Sequence, residues 1–372
     1  MRILGVGNHR IRMGIMNNKL IFMAGGGTAG HVNPNLALVK PLQKMGYTVE
    51  YLGQKNEIEY ALAQKEGLTF HEVASGRLHR SLNPDTLLTP FRVIKGIIQA
   101  VRLIHERRPA LIFCKGGFAS LPPAVAGWLT RTKVILHESD MTPGLANKLC
   151  APFARRICTT FEATTKHLPK KKAIFTGTPI RESLTSGSRE KGFAITGLDP
   201  KGAPVILVMG GSQGAGALND AIINNLELLT QDYQIVHLYG SEHEDFKVPE
   251  QKGYFGLAYA GEELPDLYAM ADLLFSRAGA NAINEFLLLK IPNVLVPLPL
   301  TNSRGDQIVN AEYAEEQGFS YVLPQEMITA NTLKQALDTV YARREEYKAA
   351  MGGKAARNGT AEVLRVILKE IA

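Results

Sequence analysis

Two glycine-rich turns, about half a chain apart, constrain the fold more than any other feature of this sequence. The first reads GGGTAGH over residues 25–31 and follows the apolar segment 19–24; the second reads GGSQGA over residues 210–215 and follows the apolar segment 205–209. Glycines at the end of a strand let the backbone turn sharply and approach a ligand, and the next helix presents free N–H groups to an anion. Two such junctions predict two nucleotide-type domains that face each other across a cleft.

Apolar strands alternate with helical patterns on both sides of a Gly/Ser/Arg-containing stretch at residues 185–192. This alternation predicts βαβ units and parallel sheets, so the expected fold class is α/β with two Rossmann-like, doubly wound domains. We expect a first domain at 18–180, a second at 181–345, and a C-terminal helix within 346–372 that could pack back on the first domain. The other predicted strands lie at residues 48–52, 111–115, 133–138, 156–160, 234–239, 252–257, 273–276 and 293–297.

Composition narrows the class of protein. A length of 372 residues with 45% apolar and 21% charged residues is typical of two globular domains. No apolar run reaches the ~20 residues of a membrane-spanning helix, and no signal peptide begins the chain, so we expect a cytoplasmic protein.

The cysteines are odd in number and lack CxxC spacing, which predicts buried, reduced thiols. We expect residues 1–17 to be a dispensable extension or a mis-assigned start. The cysteines are Cys114, Cys150 and Cys158.

Charge is divided unevenly along the chain. Residues 1–180 hold 25 Lys/Arg against 10 Asp/Glu, and residues 181–372 hold 17 against 25, which gives the halves net charges of +15 and −8. A basic half indicates an anionic partner, which could be nucleic acid, a phosphorylated substrate or an anionic membrane. Residues 77–108 offer one aromatic side chain and no stacking platform, and we see no nucleic-acid-binding motif, so we expect no nucleic-acid partner.

The segment 77–108 interleaves basic and apolar residues, with roughly helical spacing from Phe91 onward. Such a pattern is typical of a helix at an anionic membrane surface. The alternative, which we favour for each of these residues singly, is an ordinary helix that buries Ile94, Ile98 and Val101 against the sheet. Membrane contact is then expected from the residues of the preceding loop, Leu87, Leu88 and Phe91.

Other candidate residues lie where parallel strands end, which is where open α/β sheets bind ligands. Gly116 and Gly117 form a third glycine turn, or only a tight turn. Glu285 is expected one turn into a helix, where its carboxylate could accept two hydrogen bonds from a ribose diol; the alternative is an acidic residue that favours the helix dipole. Asp306 and Gln307 open another helix and suit sugar hydroxyls, although this pair alone marks only a helix start.

Taken together, the motifs resemble the MurG-type N-acetylglucosaminyltransferases of bacterial peptidoglycan synthesis, from about Lys19 to the end of the chain. The resemblance implies a GT-B fold and a reaction that moves GlcNAc from UDP-GlcNAc to the C4 hydroxyl of the MurNAc-pentapeptide unit of undecaprenyl-pyrophosphoryl lipid I, with inversion, to give lipid II. It implies a peripheral enzyme on the cytoplasmic face of the cell membrane, with cell-wall synthesis proteins as possible partners. The motifs, in order, are GGGTAGH, KGGF, HESDMTPGLANK, TGTPIR, GGSQGA, SRAGANAINE and SRGDQIVNA.

The resemblance also assigns residues to the donor site. Two departures from the family pattern are present: Asp140 replaces a common asparagine that touches the sugar, and Ala29 replaces a common glycine. The uracil-reading backbone falls near residues 260–262. The implied contacts are Thr28, Ala29 and Gly30 in the first-domain loop, Asp140 at the sugar, Arg181 on the nucleotide side, Ser212 at the diphosphate, Ala280 and Asn281 in the nucleotide loop, Glu285 at the ribose, and Asp306 with Gln307 at the GlcNAc hydroxyls.

An inverting transfer needs a base for the acceptor proton and stabilisation of the departing UDP. No DxD-type acidic pair is present to hold a metal, so we expect neither metal nor cofactor, and helix N-termini with Arg181 would stabilise the leaving group. His31 follows the first glycine turn, and an unperturbed histidine pKa of ~6.5 suits a base, so we expect His31 to be the base or an acceptor-positioning group. The alternative is a helix-start histidine bonded to the backbone. His137 and Glu138 are the next candidates.

Other function classes use similar turns. A dinucleotide-dependent oxidoreductase should show G-x-G-x-x-G spacing and an acidic residue at the end of its second strand, where this chain has Leu52-Gly53. A UDP-GlcNAc 2-epimerase or a glycolipid glycosyltransferase would share much of the donor site, and product analysis separates them. A non-catalytic membrane scaffold would need idle donor loops, so tight UDP binding would count against it.

Overall fold

The computed structural model describes residues 19–76, 84–243, 245–301, 303–352 and 358–372, and only the backbone of residues 84–88. The predicted extension at residues 1–17 lies outside the described residues. Each half of the chain forms one sheet, and all strand pairs are parallel. The predicted α/β architecture with two parallel-sheet domains is confirmed.

The first sheet has seven strands in the order β3-β2-β1-β4-β5-β6-β7. The inner strand LIFMA, third in this order, is buried along its whole length because helices cover both faces, as parallel sheets require. The strands are β1 (Leu20–Ala24), β2 (Thr48–Gly53), β3 (Thr69–Glu72), β4 (Leu111–Cys114), β5 (Lys133–Glu138), β6 (Arg156–Thr159) and β7 (Ala173–Phe175).

The second sheet has six strands in the order β10-β9-β8-β11-β12-β13. Because β11 pairs with both β8 and β12, the loops that follow these three strands lie side by side at one edge. The strands are β8 (Val205–Met209), β9 (Gln234–Leu238), β10 (Tyr254–Leu257), β11 (Leu273–Arg277), β12 (Asn293–Val296) and β13 (Tyr321–Val322).

Helices separate the strands along the chain. In the first domain, apolar residues of β1 alternate between two core clusters: Ile21 and Met23 face one layer of helices, and Phe22 faces the other. The helices are α1 (Ala29–Lys44), α2 (Ile58–Lys65), α3 (Pro84–Arg107), α4 (Leu121–Leu129), α5 (Leu145–Cys150), α6 (Arg189–Thr196), α7 (Gly216–Ile223), α8 (Leu226–Leu229), α9 (Leu264–Met270), α10 (Ala280–Leu289), α11 (Asp306–Glu316), α12 (Ala330–Ala342), α13 (Arg344–Met351) and α14 (Thr360–Ile371).

Helix α14 packs on the first domain, although it follows the second domain in sequence. Val363, Leu364 and Ile367 belong to the same core cluster as β1 and α1. Near its end, the buried Glu370 carboxylate accepts hydrogen bonds from Arg156 Nε at 2.7 Å and Arg155 Nε at 3.3 Å. The exact limits of the domains remain a prediction.

The favoured interpretation of α3 was wrong for two residues. Ile94 and Ile98 are 55% and 65% exposed, and Val101 is half-buried. The helix instead packs through small residues: Gly96 approaches so closely that a Cβ there would lie 1.8 Å from the Ala74 carbonyl oxygen. Small side chains bring the backbones together, so the large apolar side chains point outward. Leu87, Leu88 and Phe91 belong to α3 rather than to a loop. The side chains of Leu87 and Leu88 lie outside the described residues.

Two further predictions can be compared with this structure. All three cysteines are buried and free, as predicted. In the described part of the chain, no helix has both the length and the apolarity needed to cross a membrane.

Candidate active site

The buried carboxylate of Glu59 holds the first glycine turn in place. Glu59 Oε2 accepts a hydrogen bond from the Gly27 amide at 3.0 Å, and Oε1 accepts one from the Gln54 amide at 3.2 Å. A Cβ at position 26 would lie 2.4 Å from this carboxylate, and Gly27 has φ +82°. The turn therefore needs glycine at both positions. Burial raises the pKa of Glu59, and the two amides oppose that shift.

His31 lies in the first turn of α1, directly after this loop. Its Nδ1 is 3.1 Å from the Gly26 carbonyl oxygen and 3.2 Å from Thr28 Oγ1. Because a carbonyl only accepts, Nδ1 carries the proton, and the lone pair of the neutral ring is on Nε2. A backbone-bonded His31 can therefore still act as a base, because Nδ1 is held by the Gly26 carbonyl while Nε2 can accept a proton.

Electrostatics keeps His31 neutral. Burial lowers its pKa, the positive charge of Lys115 lowers it further, and Asp140 opposes both effects. Lys115 follows β4 and is 1% exposed, with Nζ hydrogen-bonded to Ser139 Oγ. Burial lowers the pKa of Lys115 to about 8, while Glu138 and Asp140 favour its charged form. With this pKa, Lys115 stays mostly protonated at pH 7, and its positive charge lowers the pKa of the candidate base.

His137 and Glu138, the next candidates for the base, are occupied by structural bonds. His137 is fully buried and donates from Nε2 to the Gly177 carbonyl oxygen at 2.9 Å. Glu138 accepts from the amides of Asp140 and Gly144 at 3.0 Å each, and from Asn147 Nδ2 at 2.9 Å. A carboxylate with three donors shapes the loop after β5 and is poorly placed to take a substrate proton.

Asp140 faces the second domain. Its Oδ2 is 2.7 Å from Arg304 Nη2, and its Oδ1 is 3.2 Å from Asn310 Nδ2. Burial raises the pKa of Asp140, with further contributions from Glu138 and Asp306, while Arg304 opposes the rise. The residue predicted to touch the sugar is therefore already paired across the cleft.

A second bridge joins the first glycine turn to the nucleotide loop. Asn281, in the first turn of α10, donates from Nδ2 to the Gly30 carbonyl oxygen at 2.7 Å. Thr178 Oγ1 lies 3.3 Å from Asn281 Oδ1. Gly30 leaves room for this contact, since a Cβ there would lie 3.3 Å from Asn281 Nδ2. Ala29, the first residue of α1, is half-buried beside it.

The glycine turn of the second domain, predicted to bind the diphosphate, lies between β8 and α7. Gly211 and Gly214 have φ of +95° and +91°, and the carbonyl of Ser212 accepts from the Ser241 amide at 3.1 Å. Since β8 and β11 are neighbours, this turn lies beside the start of α10, where Ala280 is buried. Two helix N-termini thus meet at one edge of the sheet, which favours an anion there.

Glu285 and Arg181, both predicted to lie on the nucleotide side, interact electrostatically. Tyr268 donates its hydroxyl to Glu285 Oε2 at 2.9 Å, and burial raises the pKa of Glu285 to about 7, against the effects of Tyr268 and Arg181. Arg181 Nη2 is also 3.5 Å from Glu66 Oε1 of the first domain. The carboxylate predicted for the ribose is therefore half-charged at neutral pH.

Asp306 and Gln307, the pair predicted to read the sugar, open α11. Arg304 Nε lies 3.2 Å from Asp306 Oδ1, and Gln307 Oε1 accepts from the Leu298 amide at 3.1 Å. The side-chain amide of Gln307 is thereby oriented by the loop after β12. Among the described residues, no group of three His, Cys, Asp or Glu is placed to hold a metal ion.

Sequence reasoning missed three residues of this site. Lys115, Arg304 and Asn310 all lie in or beside quoted motifs, yet none was selected. Lys115 had a usable signal, since a lysine at the end of an apolar strand is unusual. Arg304 and Asn310 had a weaker one: a carboxylate at position 140 in place of a neutral amide requires a partner.

The comparisons with known proteins match both domains. The model of the glycosyltransferase family 28 N-terminal domain covers residues 21–159, and that of the C-terminal domain covers residues 205–366. The chain belongs to glycosyltransferase family 28. The predicted enzyme class is therefore confirmed, and this family 28 member transfers a sugar.

Relatives are similar in sequence along nearly the whole chain. A Bacillus cereus protein, UDP-N-acetylglucosamine--N-acetylmuramyl-(pentapeptide) pyrophosphoryl-undecaprenol N-acetylglucosamine transferase 2, is 46% identical over 90% of this chain and 94% of its own length. A Clostridium botulinum protein of that name, without the numeral, is 42% identical over 94% of this chain and 99% of its own. The crystal structure of Acinetobacter baumannii MurG matches with a TM-score of 0.72 at 24% identity, covering 94% of this chain and 99% of that one. The predicted MurG-type resemblance and GT-B fold are confirmed.

Proposed function

We propose that this family 28 enzyme transfers GlcNAc from UDP-GlcNAc to the C4 hydroxyl of MurNAc in lipid I, and so makes lipid II for peptidoglycan. The observation that carries the proposal is the 46% identity, over 90% of the chain, to a relative whose name states this reaction. The site described above supplies the groups that such a transfer needs.

In the proposed reaction, His31 Nε2 removes the proton from the acceptor hydroxyl. The hydroxyl oxygen attacks the anomeric carbon from the face opposite UDP, the bond to the phosphate oxygen breaks, and UDP leaves with the electron pair. The configuration is therefore inverted. The helix N-termini around Ser212 and Ala280, together with Arg181, stabilise the charge on the leaving diphosphate.

The donor site is assigned accordingly. Glu285 accepts hydrogen bonds from the ribose, Asp306 and Gln307 read the GlcNAc hydroxyls, and Thr28, Ala29 and Gly30 line the first-domain side. Asn281 supports this assignment, because its bond to Gly30 joins the nucleotide loop to that side. Uracil binds near residues 260–262.

The test is transfer of labelled GlcNAc from UDP-GlcNAc to a short-chain lipid I analogue, with UDP release followed in parallel. Labelled disaccharide-lipid, with UDP formed in equal amount, is the expected result. UDP-GlcNAc binding without transfer to lipid I would overturn the acceptor assignment. Release of free 2-epimerised sugar would indicate an epimerase, and transfer to diacylglycerol would indicate a glycolipid glycosyltransferase.

We also propose that the enzyme is peripheral and binds the anionic cytoplasmic face of the cell membrane, where cell-wall synthesis proteins are its possible partners. Among the described side chains of helices α3, α4 and α5, seven are large, apolar and exposed, and we call them the apolar face. Exposed basic residues Lys95, Arg131 and Lys148 lie on or beside the same helices. Apolar side chains with basic neighbours suit the interface of an anionic bilayer. The members of the apolar face are Phe91, Ile94, Ile98, Trp128, Leu129, Leu145 and Leu149.

A further inference from the structure

One loop of the first domain is joined to one end of α11 by polar contacts. Arg304 and Asn310 donate to the two oxygens of Asp140, at 2.7 Å and 3.2 Å. In return, the Met141 amide donates to Asn310 Oδ1 at 3.1 Å. We call this set of contacts the Asp140 joint. It connects the loop beside the candidate base to the helix that begins with the sugar-reading pair.

Both sides of the Asp140 joint are held in place within their own domains. In the first domain, Glu138 accepts from the Asp140 amide, and Thr164 Oγ1 donates to the carbonyls of Asp140 and Met141 at 3.1 Å and 3.0 Å. In the second domain, Asn310 is fully buried in α11. Neither partner can move far without breaking bonds in its own domain, so the contact fixes the distance between the two loops.

Arg304 is the centre of the joint because it contacts two carboxylates with different nitrogens. Its Nη2 meets Asp140 and its Nε lies 3.2 Å from Asp306 Oδ1. A planar guanidinium has donors in several fixed directions, which a lysine ammonium lacks. Without this cation, the negative charges of Asp140 and Asp306 would repel each other across the cleft.

We propose that Arg304 is a positioning residue of the transfer site: it holds Asp140 and Asp306 together and so fixes the sugar-reading end of α11 relative to His31. Asp140 then anchors the first domain instead of binding the sugar. This inference rests on the proposed function, because it takes α11 as the element that reads GlcNAc.

A double-mutant cycle with Arg304→Gln and Asp140→Asn tests the proposal. UDP-GlcNAc affinity is measured by calorimetry without acceptor, and kcat and KM with the lipid I analogue. We expect each single variant to lower kcat/KM for UDP-GlcNAc about tenfold, and the double variant to lose about the same factor, since both changes break the Arg304–Asp140 contact. Arg304→Lys should recover part of the loss, because it restores the charge without the fork.

The control is Arg343→Gln, which breaks an exposed pair with Glu346 inside the second domain and should leave kcat/KM unchanged. A hundredfold loss in the double variant would mean that Arg304 and Asp140 contact substrate independently, and would overturn the proposal. The proposal would also be overturned if Arg304→Gln or Arg304→Lys lowered the melting temperature but left UDP-GlcNAc affinity and kcat/KM unchanged. That result would indicate a merely structural role. If the wild type fails to use lipid I, the proposed function fails, while the calorimetric cycle still tests the joint.

Discussion

His31 lies between opposing influences on its proton. The Gly26 carbonyl fixes the proton on Nδ1, and burial with Lys115 disfavours a second proton on Nε2. A neutral imidazole at pH 7 is what a base requires, and the negative charge of Asp140 keeps its affinity for a proton from falling too far. The site therefore holds the ring ready to accept a proton.

We predict that His31→Ala lowers kcat at least a hundredfold while the Kd for UDP-GlcNAc changes less than twofold, because general bases contribute about 10²–10⁴ in rate. Single-turnover transfer and calorimetry measure the two quantities. The exposed His167→Ala variant is the control. Unchanged kcat in His31→Ala would remove this residue from the mechanism.

Glu285 predicts a pH dependence of donor binding. Its pKa of about 7 in the free enzyme means that the carboxylate forms as pH rises through neutrality. Ribose hydroxyls donate better to a carboxylate than to a carboxylic acid, so affinity for UDP-GlcNAc should rise between pH 6 and pH 8. Calorimetry across this range measures it.

Two variants check the origin of this pH effect. Glu285→Gln should bind UDP-GlcNAc more weakly and show a flat profile. Tyr268→Phe removes a donor that lowers the pKa of Glu285, so the profile should move to higher pH. A wild-type profile that does not change with pH would assign the ribose contact to another group.

The individual site residues could be selected from the sequence only by their motifs. Gly30, Asn281 and Glu285 lie in motifs that the structure brings to the cleft. Arg304 could not be selected, because its role depends on Asp140, which is far away in sequence and lies in the other domain. A pairing across domains leaves no local pattern.

Elements were predicted well where they are buried. All ten predicted strands exist, with ends that differ by at most two residues. The three missed strands, β3, β7 and β13, are edge strands, and none of their residues is buried. An edge strand lacks the continuous apolar run of a central strand, so composition alone does not reveal it.

The α3 residues of the apolar face give a prediction about binding to membranes. Ile94→Asp with Ile98→Asp should weaken binding to anionic vesicles at least tenfold, because burying each isoleucine contributes about 1.5–3 kcal/mol. Flotation with phosphatidylglycerol vesicles measures binding, and phosphatidylcholine vesicles show the part due to charge. Activity on a water-soluble acceptor should be unchanged.

The control for this prediction is Met327→Asp, an exposed apolar residue of the second domain. Equal flotation of the wild type and the Ile94/Ile98 variant would contradict the assignment of α3 to the membrane. A loss of activity on the water-soluble acceptor would show that the substitutions disturb the fold instead.

At the scale of the whole molecule, the stability of the first domain depends on the end of the chain. Ile367 of α14 is fully buried against the first sheet. Ile367→Ala should lower the free energy of unfolding of the first domain by about 2–5 kcal/mol, as for other large-to-small core changes. Urea unfolding followed by fluorescence of Trp128, the single tryptophan, measures this domain.

Arg365→Ala, on the exposed side of the same helix, is the matched control and should change stability by less than about 0.5 kcal/mol. If Ile367→Ala leaves the Trp128 transition in place and lowers only a second transition, α14 stabilises the second domain instead. The sequence predicted a helix in this segment that could pack back on the first domain, and Ile367 lies in the core cluster of that domain.

The return of the chain to the first domain has a mechanical consequence. The Ile180 amide lies 3.2 Å from Asn358 Oδ1, and the Gly359 amide donates to the Thr178 carbonyl at 2.9 Å. The segment that leaves the first domain and the segment that returns to it are therefore hydrogen-bonded side by side. Two parallel tethers resist twisting and sliding of the domains but permit rotation about a single axis. The mouth of the cleft can therefore widen for a bulky lipid-linked sugar only when the Asp140 joint and the Asn281–Gly30 bond open, and the register of its two walls is kept.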